Sequence, residues 1–443
     1  MSNTDSKRTA PVAKKRFEYK WVILVVCFLM VFVCLGFCTS TKALYLGKIT
    51  KHLGIERTLF SINDSFRFIA SAIINLFFGT LLHKYGIRRM AAFGFLSLIA
   101  CILIYAFATS IYVFYIGGVL LGIGVAFTTT TMASTVIRRW FDKDIGRYTG
   151  IVFAANGVGS ALAAQILSPV INNEAGYALF GHHFQGYQVS YLMVAALLSI
   201  FGLVAVVLLK VPKDASVPAT SIKKKSTRGS SWVGIDYATA KRSPYFYITV
   251  LVVFLTGFAL QGIYGIYKTH MDDVKMDQNF ITNIVSLFSL LLTVTKILVG
   301  IIYDRYKLRK VMLICQSASI AAFIALALLN PNTSGKVLAI AFALLYALAL
   351  PLETLVVPLI ANDLFGNKDY DKILGVLIAA NYTGYALGAP FINIFADAGW
   401  GYAPGLLVLS VVMAVALLLM QLCINKAWKV KDAVIAEAEA SGN

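Results

Sequence analysis

Twelve stretches of this chain run apolar for about 20 residues or more, and no soluble architecture buries that many. They fall near 21–46, 59–82, 90–109, 112–137, 147–172, 188–209, 245–268, 279–303, 310–329, 336–362, 373–395 and 402–425. About 20 residues at ~1.5 Å each match the ~30 Å hydrocarbon core of a bilayer. In that medium every backbone N–H and C=O needs a partner within its own segment, which selects the helix. The expected fold class is an all-α membrane protein with twelve transmembrane helices. Composition agrees: 59% of residues are hydrophobic and 14% charged, whereas soluble domains carry about 25% charge.

The charge that remains is sorted by side. Of 39 Lys and Arg, 30 lie at the two ends or in alternate loops, 6 lie in the other loops, and Lys42, Arg67 and Lys296 lie inside apolar runs. Basic residues concentrate in cytoplasmic loops. Both termini are therefore expected in the cytoplasm, with the chain multi-pass in the cell (inner) membrane. The net charge of +18 is a topology signal, spread over short loops with no basic domain face for nucleic acid. Cys27, Cys34, Cys38, Cys101, Cys315 and Cys423 all fall in apolar runs, without disulfide-framework or metal spacing. The first run is too long for a signal-peptide core and lacks a small-residue cleavage site, so it is expected to be retained. A polar segment at 210–244, with Lys223, Lys224 and Lys225, separates a 1–209 half from a 245–443 half of six spans each.

A repeat supports that division. Gly79-Thr-Leu-Leu-His83-Lys84-Tyr85-Gly86-Ile87-Arg88-Arg89 follows the second run. Gly300-Ile-Ile-Tyr-Asp304-Arg305-Tyr306-Lys307-Leu308-Arg309-Lys310 follows the eighth, 221 residues later and without a gap. Duplicated halves place one pattern at the same point of each unit. The glycine permits close helix approach, and the cations suit helix C-termini or acidic partners.

This loop resembles the signature loop of the major facilitator superfamily. The resemblance implies that fold, two six-helix halves, with Gly79, Arg88, Arg89, Gly300, Asp304, Arg305 and Arg309 as a conformational motif. Thr131-Met-Ala-Ser-Thr-Val-Ile-Arg138-Arg139-Trp140-Phe141-Asp142-Lys143, then Gly150, Ala154 and Asn156-Gly157-Val158-Gly159, is similar to the monocarboxylate-transporter and oxalate/formate-antiporter branch. Asp363-Leu-Phe-Gly366 with Gly375, Gly384, Gly388 and Pro390 is similar to the same branch. Small residues three or four apart, as at Gly150, Ala154, Gly157 and Ala161, let helices pack closely where lipid supplies no hydrophobic drive.

Ionisable groups at membrane depth cost at least about 2.5–3.5 kcal/mol, so each needs a reason. Lys42 lies near the outer end of the first run, Arg67 about eight residues into the second, and Lys296 about 17 residues into the eighth. The resemblance implies that Lys42 stands close to a lysine serving proton or substrate binding. It also implies that Lys296 stands where the branch carries a substrate-binding arginine. For Lys42, snorkelling to the interface is the plain alternative. Two departures matter: the branch's aspartate one turn before that arginine is Leu292 here, and its span-eleven lysine gives way to Asn381-Tyr382. Without that lysine, an oxalate-like dianion gripped by two opposed cations is disfavoured. Asp64 and Arg67 are i,i+3 neighbours able to neutralise each other. Glu353 lies at the depth of Lys296 and is expected to pair with it in the empty carrier. Glu353 and Asp64 are the candidate proton-coupling acids, with fixed structural pairing as the alternative.

Tyr264 and Tyr267, Tyr382 and Tyr385, and Asn156 place polar tips at membrane depth, for a substrate or for packing. His182 and His183 read as a solvated loop, and His270 falls in an outer loop. There is no ATP-binding loop and no dinucleotide fingerprint. No nucleophile–base set stands out, so neither enzyme activity nor a cofactor or metal is expected. The reading is a secondary transporter of small organic anions, monocarboxylates, by proton symport or anion exchange. Its partners are the substrate, protons and lipid. A proton-coupled multidrug exporter and a non-transporting sensor on the same fold are the alternatives.

Overall fold

The computed structural model describes residues 19–54, 57–141, 143–173, 175–179, 182–210 and 234–440. Asp142 and most of the 210–244 linker, with Lys223, Lys224 and Lys225, lie outside them. Among the described residues, ten helices are long and apolar enough to cross a membrane. Two of these, Ile62–Phe107 and Asn279–Ala327, run for 46 and 49 residues, about twice what a bilayer needs. Each is cut once, by Gly86 at φ 77°, ψ 163° and by Lys307 at φ 64°, ψ 177°. The cuts lie 221 residues apart, at one position of the repeated loop. That backbone region is open to glycine and strained for lysine.

Counting each cut helix as two gives twelve crossings. Span one is Lys20–Phe37, spans two and three 62–85 and 87–107, span four Ile111–Trp140, span five Ile145–Ile171 and span six Gly186–Leu208. Span seven is Pro244–Tyr264, spans eight and nine 279–306 and 308–327, span ten Thr333–Phe365, span eleven Tyr370–Ala396 and span twelve Ala403–Asp432. Among the described residues, an even number of crossings puts Lys20 and Asp432 on one face, the terminal face.

Four local features depart from the sequence reading. Span one turns into a π-helix at Phe32–Phe37 and then stops. The Thr39 and Thr41 hydroxyls take the carbonyls of Leu35 and Phe37 at 2.8 and 2.6 Å. Lys42 is thus not inside the first span; it opens a separate helix, Lys42–Leu53. Span seven ends at Tyr264, and Tyr267 and His270 belong to a short helix, Tyr267–Asp273. His270 is buried there, its Nε2 3.0 Å from the Leu326 carbonyl, rather than in an open loop. His183 sits in a small antiparallel hairpin of Tyr177–Leu179 and His182–Phe184, with Nε2 2.9 Å from the Ala175 carbonyl.

Span ten is the most irregular. A proline lacks the N–H that would bond the carbonyl four residues back. Pro351 therefore frees the Ala347 carbonyl, and the Thr295 hydroxyl of span eight takes it at 2.7 Å. Past Pro351 the helix widens into π-turns at Leu352–Val356 and Ala361–Phe365, on either side of Pro358. Glu353 lies in the first of these.

The first six spans meet the last six along two crossings. Span two meets span eleven where a Cβ on Gly79 would stand 2.7 Å from the Lys372 backbone. Span five meets span eight where a Cβ on Gly300 would stand 2.3 Å from the Gly146 carbonyl. Only hydrogen at these positions permits the approach. The repeated glycine of the motif loop thus serves the contact between the two sets of spans.

Candidate functional site

Two clusters of charged residues lie on the two sets of spans, one around Asp64 and one around Lys296 and Glu353. In the first, Asp64 of span two is shared by two cations. Its Oδ2 accepts from Lys42 Nζ at 2.7 Å, and its Oδ1 lies 3.3 Å from Arg67 Nε. The i,i+3 pair is present as expected. The tighter partner, Lys42, comes from a different helix, and its side chain is about a quarter exposed. Arg67 Nε is buried and too poorly aligned to hydrogen-bond the carboxylate. Its guanidinium instead lies 4.2 Å over the Phe68 ring. A cavity of ≈ 20 Å³ opens beside Thr39, Lys42, Asn63, Asp64, Arg67 and Tyr105, room for about one water.

The second cluster belongs to spans five, eight, ten and eleven. Lys296 is 4% exposed, and its Nζ makes one long contact, 3.4 Å to the Phe153 carbonyl of span five. Glu353 is 8% exposed, and its Oε1 has no hydrogen-bond partner. No ion pair within 4.0 Å joins the two among the described residues. The expected direct pairing is therefore absent from this conformation. Span five holds Lys296 by its backbone, while the π-turn carries Glu353 on separate geometry. The Tyr385 hydroxyl lies 3.5 Å from the Glu353 carbonyl.

Aromatic rings connect the clusters. Phe68 packs edge-on against Tyr385 at 5.3 Å and near Tyr382 at 6.0 Å. Arg67 is thereby linked through its neighbour to the span-eleven tyrosines beside Glu353. The Tyr264 ring lies tilted beside those of Phe288 and Tyr267, at 6.3 and 6.5 Å. Asn156 is not turned to the cations; its Oδ1 accepts from Ser40 Oγ at 2.9 Å. Phe68 and Thr295 escaped the sequence reading because neither carries charge. A third cation-free buried group, Asn381, donates to the Val253 carbonyl at 3.3 Å.

A separate set of contacts closes the terminal face. Arg139 of span four pairs with Asp371 of span eleven at 2.6 Å, and Thr135 donates to the same carboxylate at 3.0 Å. Arg138 donates to Asn362 of span ten. Asp304 accepts from the backbone N–H of Gly146 and Arg147 at 2.9 and 2.7 Å, a carboxylate on the positive end of span five. Its counterpart in the first loop is His83, which is exposed. There the acid stands instead on span eleven, as Asp371. Arg88 donates to the last carbonyls of span six, Val206 at 3.0 Å and Val207 at 2.6 Å. Arg305 lies 5.3 Å over the Tyr306 ring, and the Arg309 carbonyl accepts from Gln421 at 3.4 Å. Asp371 and Asn362 were missed in the sequence. The signal for Asp371 was an acid in the first turn of span eleven, facing the Arg138-Arg139 loop in the opposite set.

A bundle of twelve crossings, with the same loop repeated in each set of six and buried charge in both sets, is the build of a membrane transporter rather than an enzyme. The chain matches the Major Facilitator Superfamily over residues 26–349 and 249–434 and belongs to that family. It is 26% identical over 310 residues to the uncharacterized MFS-type transporter YcxA of Bacillus subtilis (strain 168), covering 69% of each chain. Among solved structures it is similar to the proton:xylose symporter XylE, with a TM-score of 0.68, 12% identity and coverage of 92% and 96%. The transporter FucP in its outward conformation gives a TM-score of 0.69 at 13% identity, covering 91% and 99%. The human organic anion transporter MFSD10 gives 0.64 at 13%, covering 91% and 99%. At these identities the likeness is one of fold.

Proposed function

We propose that this protein carries small organic anions, monocarboxylates, across the cell membrane by alternating access, coupled to protons or to a second anion. Both termini are cytoplasmic in this reading, which the 30-to-6 distribution of basic residues supports. Residues 1–209 and 245–443 act as the two rocking bodies. The observation that carries the proposal is Lys296: a buried ammonium with one 3.4 Å backbone contact and, among the described residues, no carboxylate within 4.0 Å. Leaving one partner of a buried pair uncompensated costs about 3–5 kcal/mol, and an anionic guest relieves that cost. The charge count agrees. Lys42, Arg67 and Lys296 against Asp64 and Glu353 leave one positive charge when all are ionised, enough for one monoanion. Glu353 is the proton-coupling acid, and Asp64 holds Lys42 and Arg67 until substrate arrives. Proton symport and organic anion transport both occur among proteins sharing this fold.

The test is flux into proteoliposomes of labelled lactate, pyruvate, formate and oxalate, with and without a pH gradient, against a lipophilic cation. The proposal expects monocarboxylate uptake that falls about tenfold or more in Lys296→Gln, the loss of one charge-assisted contact. It also expects the pH dependence to disappear in Glu353→Gln. Flux of the cation alone would establish the exporter reading, and binding without flux the sensor reading.

A further inference from the structure

On the outer surface of spans two, three and four an apolar groove of ≈ 540 Å³ runs down from the terminal face. Ile74, Leu81, Ile123 and Phe127 form its walls, and Tyr85 and Arg89 stand at its mouth. From Tyr85 to Ile74 is eleven residues along one helix, about 16 Å at the helical rise. One leaflet of hydrocarbon is about 15 Å deep, half of the ~30 Å core. The groove therefore begins where the acyl region begins and ends near the midplane.

The mouth is basic. Arg88 is spent on the carbonyls of Val206 and Val207. Arg89 is exposed and makes no ion pair among the described residues, and it lines the groove. A guanidinium with its fork free at the edge of an acyl-deep groove matches a phosphodiester, which it can grip bidentately. We propose that this groove is a binding site for one anionic phospholipid of the terminal-face leaflet, an acyl chain in the groove and its phosphate on Arg89. Because span two also carries Gly79, a lipid seated here packs against the helix that meets span eleven.

The experiment uses the full-length protein in detergent, given phosphatidylglycerol or phosphatidylcholine with the same acyl chains and examined by native mass spectrometry. Wild type is expected to retain one phosphatidylglycerol about tenfold more than phosphatidylcholine, the ratio one charge-assisted contact supplies. Arg89→Gln is exposed and disturbs no packing; it should abolish that preference. Lys310→Gln, at the same place in the second loop, should keep it. Ile123→Trp and, independently, Leu81→Trp fill the groove and should lower retention of both lipids. Equal retention of the two lipids by wild type overturns the site. So does a preference that survives Arg89→Gln, or phosphatidylglycerol retention unchanged by both tryptophans.

Discussion

Lys307 adopts φ 64° and ψ 177° at a loop position where the first repeat has Gly86 at φ 77°. A side chain in that region costs about 1–3 kcal/mol, and a glycine gives back about 0.5–1 in unfolded-chain entropy. Lys307→Gly is thus expected to stabilise by about 1 kcal/mol and Gly86→Ala to destabilise by a similar amount. A Cβ on Gly86 meets nothing within 4 Å, so backbone strain is the whole effect. Thermal unfolding in one detergent checks both. His270 supplies a pH dependence. Burial pushes its imidazole below the ordinary value of 6.5, although the Leu326 carbonyl favours the charged ring. The unfolded chain then takes up a proton before the folded one does. Stability is complete above about pH 6.5 and falls as pH drops toward the lowered folded value. His270→Gln should flatten the acid side of a Tm-against-pH profile; an identical acid slope would assign that loss to other groups.

Among the elements, the terminal-face lock gives the sharpest prediction. Arg139 and Asp371 meet at 2.6 Å with side chains 28% and 12% exposed, so solvent screens the pair only in part. Arg139→Gln and Asp371→Asn should each loosen the terminal face, and the double variant should be milder than the sum. The coupling expected is about 1 kcal/mol, the usual size for contacting residues in a double-mutant cycle. Additive effects on Tm would remove Asp371 from the lock. Much of this level was readable from the chain. Hydrophobic run length placed all twelve crossings, and the repeated loop anticipated the cuts at Gly86 and Lys307. Pairings between elements were not readable. Asp64 had an obvious neighbour in Arg67, whereas Lys42 reaches it only because span one ends early in a π-turn. Likewise equal depth suggested that Lys296 and Glu353 touch. Depth says nothing about rotation around a helix, and the prolines of span ten alter that rotation at Glu353.

For the whole molecule, transport requires the closed terminal face to open, and the barrier lies in few contacts. Span five meets span eight at Gly146 and Gly300, while Asp304 holds the first amides of span five from the opposite set. A ligand shifts such an equilibrium only by its differential affinity for the two states. A substitution that burdens one state alone therefore mimics a ligand. Gly300→Ala is that substitution: its Cβ would stand 2.3 Å from the Gly146 carbonyl, and only separation of the two spans relieves the overlap. The closed state should lose about 1–3 kcal/mol, the range for overpacking, and the open state nothing. Hydrogen exchange reads this directly, because the amides of Gly146 and Arg147 are protected only while Asp304 accepts from them. Their exchange should speed up about tenfold in Gly300→Ala, and also in Asp304→Asn, which removes the charge without adding bulk. Addition of a carried anion should shift the Gly300→Ala protein and the wild type in the same direction. Unchanged exchange in both variants would mean that this crossing does not hold the terminal face shut.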